Sequence, residues 1–351
     1  MNNPILGTFL HAVGGASASM CYLPSQKTRQ WSWGTFWLVQ SLFAWLLIPL
    51  LIGWTTVPDF FHVLTDAPKE SVRNAFLLGA IYGFGGMSFG FAIQKIGYSL
   101  TYTISIGLSA ILGTLVPLIM HGTLQHYFSK PGSGLVLLGM VIAVIGVALS
   151  GLAGFRKEKD LGENKLGFNM PVGLTLAILG GLLSAVFNIS LEAGQPIADL
   201  AAERGAGHFE GNAKLIVSTS GCFVVNLIWF VVAGIKQGTL GELLSISSSD
   251  TRKATKKGAS ARLLENYGWS ALAGTLWTGQ FFFYGLGHVQ MGEFQFISWV
   301  LHMTMLIFFS YIVGVIMKEW KQVQRSTYRI LGLALVLLFI SSVIIAYGST
   351  F

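Results

Sequence analysis

Two glutamates lie inside apolar stretches of this 351-residue chain, where a carboxylate is least expected. Glu192 sits in "FNISLEAGQP" with Asn188, Ser190 and Gln195 beside it, and Glu293 sits in "QMGEFQFISW". An ionisable group in lipid costs several kcal/mol even on mild scales, so one that persists is a functional candidate. Burial raises the pKa of a carboxyl group, which lets it take up a proton on one side of a barrier and release it on the other. Both acids are therefore candidates for proton coupling, although either one at the membrane interface would simply be wet.

Histidine, amide and aromatic residues form a second set. His11 lies in "LHAVGGASAS" and His302 in "SWVLHMTM", while Gln280, Tyr284, Trp277 and Trp299 occupy the apolar segments around 268–317. A lone buried histidine is more often a hydrogen-bonded packing group than a ligand. Flat aromatic faces combined with amide and carboxylate hydrogen bonds nevertheless suit a sugar, which presents C–H faces and hydroxyl edges. Trp near helix ends also forms the ordinary interfacial belt. The candidate substrate-binding set is His11, Asn188, Gln280, Tyr284, Trp299 and His302. "GFGGMSFG" at 83–90 reads as close helix packing rather than a phosphate loop. Neither a Walker motif nor a paired-His metal spacing occurs, so the expectation is no cofactor, no metal, no ATP-driven pump and no enzyme.

The composition says what must hold these residues. Hydrophobic types make up 53% of the chain and Asp, Glu, Lys and Arg only 11%, with a mean hydropathy of +0.64. A soluble globular protein carries about 25% charged residues, so this chain cannot cover a surface with polar groups. A soluble enzyme, a nucleic-acid binder and a disordered scaffold are excluded. Apolar stretches near 20 residues, the length that crosses about 30 Å of hydrocarbon as a helix, predict ten spans. They are 4–24, 33–54, 72–94, 98–120, 133–154, 171–195, 213–235, 268–288, 293–317 and 328–348. The expected fold is an all-α integral membrane protein, and the first span is expected to be retained rather than cleaved.

Charge orients the spans. Seventeen of the 22 Lys and Arg residues fall in the loops after spans 1, 3, 5, 7 and 9; the other five are Lys69, Arg73, Lys130, Arg204 and Lys214. The positive-inside rule makes the odd-numbered loops cytoplasmic. Both termini are then outside the cytoplasm, in a bacterial-type inner (plasma) membrane. The net charge of +7 follows these loops. Within loop 236–267, Arg252, Lys253, Lys256 and Lys257 read as a solvated cytoplasmic run near anionic membrane lipid, not as a nucleic-acid site. Cys21 and Cys222 lie in apolar stretches without disulfide or metal spacing and read as small core residues.

An internal repeat accompanies the ten spans. A shift of 195 residues lays Gly79 on Gly274, Gly90 on Gly285 and Gly97 on Gly292, with Tyr82 on Trp277 and Phe89 on Tyr284. A shift of 166 lays Gly14 and Gly15 on Gly180 and Gly181. The longer loops of the second half absorb the difference. Residues 1–155 and 156–351 are thus expected to be two five-helix halves, inverted because five is odd, as in carriers with alternating access.

Four segments resemble the L-rhamnose:proton symporter family of the drug/metabolite transporter superfamily: "HAVGGASASMCYLPSQKTRQWSWGTFW" at 11–37, "GQFFFYGLGH" at 279–288, "ISWVLHM" at 297–303 and "IVGVIMKEW" at 312–320. The likeness runs from the first span to the ninth. It implies ten helices in two inverted halves, external termini and proton-driven uptake of a 6-deoxyhexose, L-rhamnose first. Matching positions include His11, Lys27, Trp31, Trp33, Gln280, Tyr284, His288, Trp299, His302, Lys318 and Glu319. The chain departs from the family ahead of Trp299, where the best-known members carry an aspartate between tyrosines and this chain has Gln295 between Phe294 and Phe296. At Glu192 those members have an amide. A moved acid, another sugar, or Na+ in place of the proton all stay open.

Three classes fit these features: an ion-coupled sugar importer, an exporter of amphipathic metabolites or drugs, and a membrane sensor or assembly factor. An exporter is expected to have a more apolar interior than Asn188, Glu192, Gln280, Gln295 and His302 provide, and a sensor is expected to carry a soluble signalling domain. The importer leads, with a small-molecule sugar and protons (or Na+) as its partners.

Overall fold

The computed structural model describes residues 2–161, 169–244 and 256–351; Lys165, Ser248, Arg252 and Lys253 lie outside the described residues. Among the described residues there are helices and no strands. In order these are α1 (Pro4–Met20), α2 (Trp33–Leu42), α3 (Ile48–Thr56), α4 (Phe60–Asp66), α5 (Lys69–Ile96), α6 (Tyr98–Met120), α7 (Leu124–Phe128), α8 (Ser133–Leu161), α9 (Met170–Ala193), α10 (Gln195–Glu203), α11 (Gly211–Gln237), α12 (Lys256–Gln290), α13 (Ser298–Ile316) and α14 (Arg325–Gly348). Eight segments are long and apolar enough to cross a membrane: Trp33–Thr56, Lys69–Ile96, Tyr98–Met120, Ser133–Leu161, Met170–Glu203, Gly207–Gln237, Gly292–Ile316 and Arg325–Gly348. The remaining two expected spans coincide with α1, which has 17 residues, and with α12, whose Gly, Thr, Gln and His residues dilute its apolar character.

The chain divides into two compact units. One consists of Met1–Ser19, Phe84–Ala193 and Gln280–Phe351, the other of Met20–Gly83 and Gly194–Gly279. In the first unit α6 packs on α9, α13 and α8, and α14 packs on α8. Glycines permit the last of these: a Cβ on Gly139 would stand 2.6 Å from Ile345 and one on Gly146 2.9 Å from Leu338. Small residues that let backbones approach are how helices associate where lipid removes the hydrophobic drive. The opposite faces of α8 and α14 leave Leu138, Val141, Ile145, Leu333, Val336 and Phe339 exposed. Contiguous apolar surface of that extent fits lipid rather than water. The turn from α5 into α6 is made by Gly97 at φ +80, a conformation open to glycine and costly for other residues.

The second unit contains a span broken by proline. Pro49 has no N–H to give the carbonyl of Ala44 or Trp45, so the helix between α2 and α3 widens into a π-turn over Phe43–Leu47. The freed carbonyl of Ala44 accepts instead from the Thr278 hydroxyl of α12 at 2.7 Å. Before this span Ser32 caps α2 by accepting from the Thr35 amide, and Glu242 accepts from the Ser32 amide at 2.7 Å and from the Thr35 hydroxyl at 2.6 Å. A carboxylate at a helix start complements the positive end of its dipole. The basic first loop is thus anchored by an acid 210 residues away in sequence.

Several elements depart from the expected boundaries. Residues 196–212, expected as a loop, carry most of α10, whose Ile197 and Ala201 are buried with Val57, Phe60, Val63 and Ala213. The amphipathic spacing of QPIADLAAE accounts for that helix. Helix α12 begins at Lys256 inside the expected loop 236–267. The ninth span opens with a 3-10 turn, Gly292–Ile297, before α13. Cys21 and Cys222 are both buried, the placement expected of small core residues.

Candidate functional site

All six candidate substrate-binding residues are buried in the first unit. Helix α1 carries His11 and α9 carries Asn188. Gln280 and Tyr284 lie four apart on α12, and Trp299 and His302 three apart on α13, so each pair shares a helix face. Tyr284 is the hub. Its ring centroid lies 5.4 Å from His11, 5.4 Å from His302 and 5.7 Å from Trp299, and it stacks at 5.7 Å on His288. Phe281 completes the apolar side at 6.4 Å from Trp299 and 6.3 Å from His302, with Phe187 against it at 4.9 Å.

Hydrogen bonds fix three of the six. The Trp299 indole donates to the Ser109 carbonyl at 3.0 Å, Asn188 donates to the Gly113 carbonyl at 2.8 Å, and the Tyr284 hydroxyl reaches Asn188 Oδ1 at 3.5 Å. The two histidines are fixed differently. A Cβ on Gly14 would stand 2.8 Å from His302 Cε1 and 2.8 Å from the Gln280 carbonyl, and a Cβ on Gly287 would stand 3.1 Å from His11 Nε2. Each imidazole therefore lies against a glycine of a facing helix. His11 and His302 are both 0% exposed, and none of their four ring nitrogens has a hydrogen-bond partner among the described residues. Buried polar groups are nearly always paired, so two unpaired imidazoles mark a place built to receive something polar.

The two candidate acids lie outside this cluster. Glu192, near the end of α9, is exposed, and its charge is felt at the buried Tyr284 hydroxyl. Glu293 lies in the 3-10 turn before α13, 78% exposed, and pairs with Lys130. A cavity of about 790 Å³ beside it is lined by Asn2, Lys130, Glu293 and Ser349 among others, and by none of the six buried residues. Trp277 also stands apart, in the second unit against Trp45 at 5.6 Å.

The sequence reading missed a buried ionic group. Lys157 and Glu158, assigned there to a loop, belong to the last turns of α8 and are buried. Lys157 Nζ lies 2.8 Å from Glu319, 3.7 Å from Glu158 and 5.2 Å over the Trp320 ring, and donates to Ser99 at 3.3 Å. The signal was the match at Glu319; nothing in the local spacing said that α8 extends seven residues past 154. No group of three or more His, Cys, Asp or Glu that would hold a metal occurs among the described residues.

A buried, aromatic-rich cluster with amide, hydroxyl and imidazole groups but no metal-binding constellation fits a neutral, polyhydroxylated solute. Residues 1–350 match the family described as L-rhamnose-proton symport protein. The chain is 33% identical to the L-rhamnose-proton symporter of Pectobacterium atrosepticum, covering 99% of both chains. It is 32% identical to those of Pectobacterium carotovorum and Yersinia pestis over the same shares. With the whole chain matched and identity above 30% along its length, this protein belongs to the L-rhamnose-proton symport protein family.

Proposed function

We propose that this chain imports L-rhamnose together with protons, as a secondary carrier whose site opens alternately to either face of the membrane. The observation that carries the substrate is the end-to-end likeness to proteins named L-rhamnose-proton symporters. The buried cluster supplies matching chemistry. Asn188, Gln280, Tyr284, His11 and His302 offer donors and acceptors for ring hydroxyls, and Trp299 with Phe281 offers flat surface for the C–H face and the methyl group of a 6-deoxyhexose. Glu192, exposed and coupled electrostatically to Tyr284, is the acid we assign to proton exchange with water, and Glu293 is the second candidate.

The architecture we assign is ten spanning helices in two inverted halves, within the drug/metabolite transporter superfamily. Helix α1, at 17 residues, is about 26 Å long at 1.5 Å per residue, close to the thickness of the hydrocarbon core. The repeated glycines support the inversion. Gly15 packs against the backbone of α13 at Leu306, and its counterpart Gly181 packs against the backbone of α6 at Ser105. Gly79 packs on the backbone of α11 at Ser218, and its counterpart Gly274 on the backbone of the π-turn at Ala44. Gly97 and Gly292 both adopt positive φ. The Lys and Arg bias supports an inner-membrane protein with both termini outside the cytoplasm.

A potential of 100 mV stores about 2.3 kcal/mol per charge, which concentrates a neutral sugar roughly 50-fold at one proton per sugar. The test is uptake of radiolabelled L-rhamnose into proteoliposomes. Accumulation under an imposed pH gradient, abolished by a protonophore, is the expected result. Accumulation under a Na+ gradient alone would reassign the coupling ion, and no uptake with either gradient would sink the reading.

A further inference from the structure

We propose that the transported proton is held by the His11 and His302 pair, shared between the two imidazoles at one proton per sugar. This rests on the symport reading above and names the group that carries the coupling. The ring centroids stand 5.8 Å apart at an interplanar angle of 74°, one ring edge toward the other, and both side chains are 0% exposed. All four ring nitrogens lack a hydrogen-bond partner among the described residues. A buried histidine that served only for packing would have at least one nitrogen satisfied. The carboxylates that sequence singled out are elsewhere, one exposed and one ion-paired at the surface.

Three helices surround the pair. From α12 it meets Tyr284 at 5.4 Å from both rings, the Gln280 backbone, and His288 stacked behind Tyr284. On α13 Trp299 lies against Tyr284, and from α9 Asn188 reaches Tyr284, through which Glu192 acts. None of these places a carboxylate against either imidazole. Two imidazolium rings this close repel each other without a counter-ion, so the pair takes one proton and refuses a second.

Coupling follows from what the proton does to hydrogen bonding. A neutral imidazole offers one donor and one acceptor, and an imidazolium offers two donors. An imidazolium in a buried, uncompensated site is penalised; a sugar hydroxyl oxygen accepting from it removes part of that penalty. Proton and sugar therefore each raise the affinity for the other, by the same factor in both directions. The proton adds to a ring-nitrogen lone pair as the sugar enters from outside, and leaves to cytoplasmic water when the sugar departs. No covalent bond to the sugar forms or breaks. Glu192 then serves as the point of exchange with outer water rather than as the carrier.

The experiment uses the full chain in proteoliposomes, with His302→Gln, His11→Gln and the double variant. Wild type should accumulate L-rhamnose under an inward proton gradient, and external rhamnose should drive proton entry. The glutamine variants, which keep a polar side chain at each position, should bind rhamnose more weakly, and whatever exchange of labelled for unlabelled rhamnose they retain at saturating sugar should come without gradient-driven accumulation and without rhamnose-driven proton entry. Should exchange itself be lost, proton uptake on saturating rhamnose binding by the purified proteins decides. About one proton per site is expected for wild type and none for the variants. The proposal is overturned if wild type couples and the double variant still takes up a proton with rhamnose. A wild type that neither binds rhamnose nor moves it would overturn the symport reading instead, which keeps the two failures apart.

Discussion

Gly14 of α1 and His302 of α13 stand so close that a methyl group on the glycine would lie 2.8 Å from the imidazole Cε1 and 3.3 Å from Nδ1. The glycine is what allows the histidine to reach the centre of the cluster. The same logic holds for the adjacent Gly15, whose Cβ would stand 2.8 Å from the Leu306 amide of α13. The adjacent glycines of "HAVGGASAS" thus let one helix approach both a side chain and a backbone of α13.

Gly14→Ala should therefore displace His302 while leaving the helix intact, since alanine is the better helix former. Overpacking of this kind costs about 1 to 3 kcal/mol. The expected outcome is a rise in KM for L-rhamnose with the chain still membrane-inserted and monodisperse in detergent. Unchanged transport kinetics would mean that His302 does not contact the sugar.

Gln280→Ala should weaken rhamnose binding by roughly 1 to 3 kcal/mol, the cost of losing one polar partner in a buried site. Gln280 is buried one turn before Tyr284 on the same face of α12. Rhamnose-induced quenching of tryptophan fluorescence, with Trp299 in the cluster, reads the affinity directly. Binding that matches wild type would remove Gln280 from the site.

Much of the cluster was legible in the sequence because lipid makes a buried polar residue conspicuous. His11, Asn188, Gln280 and His302 stand out against stretches of Leu, Ile, Val, Phe and Gly, and the structure buries all four in one unit. Burial itself was not legible for the acids. Glu192 and Glu293 look alike in sequence, yet the 3-10 turn over Gly292–Ile297 turns Glu293 out to Lys130, and the α9 helix leaves Glu192 exposed near its end. Nor could the spacing reveal that Lys157 is buried, because its partners Glu319 and Ser99 come from distant segments. Hydropathy likewise ended the fifth span at 154 because Arg156, Lys157 and Glu158 resemble a loop, whereas the helix continues through Leu161.

The Lys157 group yields a stability prediction. Removing one member of a buried ion pair costs about 3 to 5 kcal/mol, and Glu319→Gln should fall toward the lower end because Glu158 remains 3.7 Å from the ammonium and Glu319 is 29% exposed. Lys157→Met should be the more damaging substitution, since it withdraws the cation that both carboxylates face. Apparent unfolding temperatures in detergent test the order. Two variants as stable as wild type would show that the group contributes nothing to the folded state.

The orientation is tested at the C-terminus. Phe351 follows α14, and seventeen of 22 basic residues fall in segments on the opposite side of the proposed topology. An alkaline phosphatase fused after Phe351 should be active, since it folds only outside the cytoplasm, and a fused fluorescent protein that matures only inside should be dark. The reverse pattern would invert the topology and move Glu192 from the outer to the inner end of α9.

Glu192 separates the route of the proton from its resting place. The carboxylate is exposed near the C-terminal end of α9, two residues beyond the last buried polar side chain of that helix, Ser190. Its charge is felt at Tyr284 of the cluster. In the proposed topology a group in that position meets outer water directly, away from the buried histidines. Glu192→Gln keeps the shape and removes the titratable group. If the acid only delivers protons, the variant should approach the same final accumulation as wild type at a lower initial rate, most visibly when the outside pH is high. If the acid is itself the carrier, accumulation should vanish while exchange continues. Time courses of rhamnose uptake at outside pH 6 and 8 distinguish these outcomes. An unchanged rate at both values would exclude Glu192 from coupling and turn attention to Glu293, for which the same substitution and the same time courses apply.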